Sequence, residues 1–137
     1  METAATQLAK RLGNQYKGLC DRVSSRLLVA YPELKDTLRL EEAYNPRDRL
    51  SLMAVERLSE LVRAVLVFDL PELVERELMW AHGVLPRIGV TYTHQSTMIS
   101  WYFEELRSLA ASPDEIHLVR NLEHTFLGAV RTVYQVA

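Results

Sequence analysis

Three proline-containing segments do most to limit what this chain can fold into. Asn45-Pro46-Arg47-Asp48, Asp69-Leu70-Pro71-Glu72 and Ser112-Pro113-Asp114-Glu115 each combine a side chain able to cap a helix, a proline and an acid just beyond it. Proline loses nothing in a first helical turn, where its missing N–H would have had no partner, and a carboxylate there meets the positive end of the helix dipole. Each segment therefore predicts a helix start, and the last has the full form of a capping box. A fourth start is predicted at Thr91 or Thr93, because Pro86 to Gly89 does not readily continue the preceding helix.

Between these starts apolar residues recur at helical spacing. Leu52, Val55, Leu58/Ser59, Val62 and Val65/Leu66 form one stripe, and Tyr92, Met98/Ile99, Tyr102, Leu106 and Leu109 a second. Ile116, Val119, Leu122, Phe126, Val130 and Val133 form a third. The N-terminal third repeats the pattern with Leu8, Leu12, Leu19, Val23, Leu27 and Leu34. There Gly13 and Gly18 weaken the helix, which predicts one short and one longer element. No alternating run is joined to hairpin turn chemistry. The expectation is an all-α fold of about six helices, and 137 residues suit a single domain spanning 1–137.

Charge and composition exclude several classes of function. Sixteen basic and 18 acidic residues leave a net charge of -2, with no cluster that would follow a nucleic-acid backbone or an anionic bilayer. No apolar run approaches the roughly 18 residues of a membrane span. Cys20 is the only cysteine, and the N-terminal segment lacks the apolar stretch of a signal peptide, so a cytoplasmic location is expected.

The chemistry-bearing residues do not assemble into a catalytic or metal pattern. His117 and His124 are seven residues apart, too far to chelate an ion unaided, and neither HExxH, ExxH nor CxxC occurs. Glu104 and Glu105 are adjacent and so point about 100° apart on a helix, which leaves at most one facing inward. Cys20 reads as a small buried hydrophobe. The five glycines are scattered and form no phosphate-binding loop. No enzyme and no protein-ligated metal are expected.

The stretch Arg87 to Leu106, RIGVTYTHQSTMISWYFEEL, resembles the junction between the sixth and seventh helices of bacterial sensor globins. A short basic-Ile-Gly-aliphatic motif there precedes an aromatic-rich helix. The order of helices along the chain is also similar. Haem-binding members place the proximal histidine two residues before the basic residue, and the matching position here is Leu85. The chain is thus more similar to the non-haem branch, the RsbR-type stressosome input domains and the sporulation-inhibitory sensor-domain proteins. That resemblance implies a globin-like, dimeric sensor domain, either stand-alone or part of a longer protein, which regulates a signalling partner. It also implies no haem, with a fatty acid or other apolar ligand in its place.

A globin-like domain without haem has to fill the vacated space with apolar groups or offer it to a ligand. Candidate linings are Leu58, Val62, Leu66, His82, Leu85, Met98, Trp101 and Tyr102. The same residues could equally form the core of a helical bundle. Two alternatives stand beside the sensor reading: a haem-based gas sensor that uses His82, and a ligand-free helical adaptor. A homodimer is expected through the last two helices, where Phe103, Leu118, Leu127 and Val136 lie outside the main stripe and Gly128 would permit close approach.

Overall fold

The computed structural model describes residues 2–37 and 49–136. Among them are six α-helices and no strand, so the protein is all-α. The helices are α1 (Ala4–Ala30), α2 (Glu33–Thr37), α3 (Leu50–Phe68), α4 (Glu72–Val84), α5 (Tyr92–Leu109) and α6 (Pro113–Val136). A 3-10 turn, Leu85–Ile88, follows α4.

The glycines do not divide the N-terminal helix. α1 runs unbroken for 27 residues, about 40 Å, from a cap in which Thr3 accepts from the Thr6 N–H. Burial of Leu8, Leu12, Leu19, Val23 and Leu27 along one stripe outweighs the intrinsic cost of two glycines. At Gly13 the missing side chain is used, because the Arg63 guanidinium from α3 lies 3.2 Å from where a Cβ would stand. The division falls instead at Tyr31-Pro32. The residue before a proline is pushed out of the helical region, and the Tyr31 N–H closes α1 on the Leu27 carbonyl at 2.8 Å.

The predicted starts fare differently. Asn45 to Asp48 lie outside the described residues, and the described part of the central helix begins at Leu50. Asp69 does not cap α4. It ends α3 in the left-handed conformation, φ 51°, with its N–H on the Val65 carbonyl, and Pro71 takes the position before α4. A short polar side chain tolerates that conformation, so one Asp serves the end of a helix rather than the start of the next. Thr91 caps α5 as expected. Ser112 accepts from the Glu115 N–H at 3.2 Å, as the capping box predicts.

α1 crosses both α3 and α5, α5 packs along α6, and α4 lies on α6 while making few contacts with α3. The largest fully buried side chains are Tyr102, Phe103 and Phe126, whose rings meet in sequence at 5.5 and 5.2 Å. Phe103 is thus core. It is lost to the expected dimer face, where Leu118 and Leu127 are also half-buried against the core and Gly128 faces open space. The side chain of Val136 lies outside the described residues. Tyr92, expected in a buried stripe, is 37% exposed.

The start of α6 is tied to α1 by a buried ion pair. The Arg11 guanidinium donates to both carboxylate oxygens of Glu115, which is 1% exposed, and to the Leu109 carbonyl at 2.9 Å. The hydrogen bond from Arg11 holds the Glu115 carboxyl below its ordinary value of 4.5 against the opposing effect of burial.

Two outcomes are expected. Glu115→Gln should lower the midpoint of a urea titration, since it leaves the Arg11 guanidinium without its counter-charge. With a depressed carboxyl value, the wild-type contribution is complete above the ordinary carboxylate range. It is lost as pH falls through the lower folded value, so the gap between wild type and variant should close in acid. Gly18→Ala should raise stability by about 0.5–1 kcal/mol, because its Cβ would meet only the mobile end of Arg22. A lower urea midpoint for that variant would contradict the account of α1.

Candidate functional site

Because α4 rests on α6 and stands off from α3, a groove opens between α3 and α4, floored by α5. Its volume is about 640 Å³. One wall is a second stripe of α3, rotated from the buried one: Leu50, Met53/Ala54, Arg57/Leu58 and Leu61. The facing wall is Glu77/Leu78, Trp80/Ala81, Val84/Leu85 and Ile88, where the 3-10 turn carries the helical spacing one step past α4. Met98, Ile99 and Gln95 form the floor. A small cavity of about 40 Å³ adjoins the inner end near Val90 and His94, and shares Leu85, Gln95 and Met98 with the groove.

Two of the lining residues are small, Ala54 on α3 and Ala81 on α4. Such side chains leave space that longer ones would fill. At the rim Arg57 donates to Oε2 of Glu77 from Nε at 3.1 Å and from Nη2 at 2.9 Å, and to Oε1 from Nη2 at 3.3 Å, and it lies 5.0 Å from the centre of the Trp80 ring. This is a strut across the groove between two exposed side chains, and an exposed pair of this kind adds little to stability. Met53 and Trp80 are about half exposed on either side of it.

Three of the residues expected from sequence line the groove: Leu58, Leu85 and Met98. Val62, Leu66 and Tyr102 belong to the closed core instead, and the Tyr102 hydroxyl donates to Ser59 at 3.0 Å. Burial pushes the Tyr102 phenol well above its ordinary pKa, and it stays neutral. Trp101 points to the other side of α5, stacked 6.4 Å from Tyr31 with the Arg26 guanidinium 4.1 Å from its ring centre. His82 faces α6, its ring edge-on to Tyr134 at 4.6 Å, and does not border the groove.

Sequence reasoning missed Gln95 and His94. His94 is buried, and its Nδ1 accepts from the Thr91 N–H at 3.0 Å while its own N–H donates to the Thr91 hydroxyl. That arrangement leaves the proton on Nε2, which donates to the Glu33 carboxylate at 3.2 Å and ties the start of α5 to α2. The capping-box spacing from Thr91 was available as a signal, but with histidine in the place usually held by Glu or Gln. His117 and His124 are exposed on α6. Among the described residues no group of three or more His, Cys, Asp or Glu could hold a metal ion.

Comparisons with protein-family models, with curated proteins and with solved structures give no match.

Since the His82 ring meets Tyr134 and not the groove, His82→Ala should act as a packing change. It should cost about 1 kcal/mol in thermal or urea unfolding. Fluorescence of an apolar probe in the groove should be unchanged, and a large fall in probe binding would show that His82 reaches the opening.

Proposed function

We propose that the protein is a globin-like sensor domain of the non-haem type, which holds a chain-like apolar ligand in the groove between α3, α4 and α5. The observation that carries this reading is the position of Leu85. The resemblance places it where a haem ligand would stand, and it sits in the wall of a largely apolar groove of about 640 Å³, the size of a small-molecule site. The arrangement of helices fits as well, with two helices facing each other across the opening and a third beneath.

Haem does not suit these residues. Leu85 offers no donor atom, and His82 is turned toward α6 and engaged with Tyr134. An iron ligand needs an imidazole aimed into the pocket and oriented from behind by a hydrogen bond, which neither position supplies. The gas-sensor alternative is therefore the weaker one. Dimer formation and control of a signalling partner are part of the proposal and rest on the resemblance.

A second reading, the ligand-free adaptor, draws support from the exposed apolar groups Met53, Met79, Trp80 and Phe68 along the outer surface of α3 and α4. The two readings differ in what happens when the groove is filled. Ala81→Trp places an indole in the opening, and on the ligand-binding reading it should lower affinity for an acyl chain by at least about tenfold with the fold retained. Equal binding by wild type and variant would favour the adaptor. In a haem titration the wild type should give no sharp Soret band, whereas Leu85→His should gain one. A wild-type band abolished by His82→Ala would reverse the assignment.

A further inference from the structure

We infer that Gln95 is the polar anchor of the groove, and that the ligand is an unbranched aliphatic molecule with an uncharged hydrogen-bonding group at its inner end, a primary alcohol being the simplest. The inference rests on the proposed ligand-binding role of the groove and narrows it to one chemical class.

Gln95 is 3% exposed and borders both the groove and the small cavity at its inner end. Its Nε2 donates to the Tyr134 hydroxyl, and no described residue hydrogen-bonds its amide oxygen. That oxygen is not sealed in the core: among the described residues, the fully enclosed side-chain atom without a partner is the Arg49 Nε. The open end of the amide is therefore reached from the space that Gln95 lines. Leu58, Leu85, Met98 and Ile99 line the same groove, and in such an apolar setting an unmet amide oxygen favours a donor brought by a ligand.

The charges around the groove argue against an anionic ligand. Among the described lining residues, Glu60 and Glu77 stand against one guanidinium, Arg57, which is already paired with Glu77 at the rim. A carboxylate carried to the inner end would meet no cation among the described residues that line it and would be costly to desolvate. A hydroxyl loses far less on leaving water and recovers it at Gln95. The aliphatic chain would then run outward along the Ala54 and Ala81 walls toward Trp80.

Calorimetric titration of the full chain with decanol, decyl methyl ether and decanoate at mildly alkaline pH tests this. Decanol should bind about tenfold more tightly than the ether, which has no donor, and decanoate should bind more weakly than decanol. Gln95→Leu should erase the difference between alcohol and ether while keeping ether binding. A preference for decanol that survives in Gln95→Leu, or decanoate binding tightest, would overturn the inference and leave the ligand-binding role standing. Binding of none of the three would remove both. Should the variant fail to fold, the side-chain NH2 resonances of Gln95 in the wild type serve instead. They should move with decanol and stay in place with the ether, and the absence of any such difference would overturn the inference.

Discussion

Because α1 spans about 40 Å and buries a continuous stripe, both α3 and α5 have to seat on it, and their positions follow from where its large and small residues fall. Each fully buried leucine or valine contributes roughly 1.5–3 kcal/mol relative to exposure, so Leu8, Leu12, Leu19, Val23 and Leu27 together outweigh the helix propensity lost at two glycines. Polar links then fix register within that contact. Ser24 meets Ser51 at 2.9 Å and Tyr102 reaches Ser59, so both α1 and α5 are tied to α3 by buried hydroxyls.

α4 stands outside this arrangement. It has two buried residues, Val74 and Leu78, and leans on α6 through contacts such as His82 on Tyr134. The groove is the geometric result: α3 is held by α1, α4 by α6, and little draws the two together except an exposed ion pair across the rim. A ligand entering here would not have to break a packed core.

Much of this was legible in the amino-acid order. The stripe from Leu52 to Leu66 and the one from Val119 to Val133 are buried as their spacing predicts, and the Ser112 and Thr91 caps lie where their side chains indicated. The neighbouring stripe on α3, from Leu50 to Leu61, is equally periodic but interrupted by Arg57; its role depends on α4 standing at a distance, which local spacing does not encode. For the same reason Val62 and Tyr102 could be recognised as inward-facing without revealing that they face a closed core. Trp101 went to the opposite side because one position on a helix turns a side chain by about 100°. Gln95 is a polar residue in a first helical turn, and only the approach of α6 gives it a partner, the Tyr134 hydroxyl.

The corner between α4 and α5 is closed within the six residues from Leu85 to Val90. The Val90 N–H donates to the Leu85 carbonyl at 3.0 Å and the Gly89 N–H to that of Pro86 at 3.2 Å, with Gly89 at φ 90° making the reversal. Leu85 is thus a wall of the groove and a member of the corner at once. Mechanically this is a short pivot with a long arm: α4 extends about 20 Å from it, so a rotation of about 5° at Leu85 carries the Glu72 end nearly 2 Å. Were bulk to press on that side chain, the far end of α4 would move furthest, next to Phe68 and Leu70, which stand in solvent.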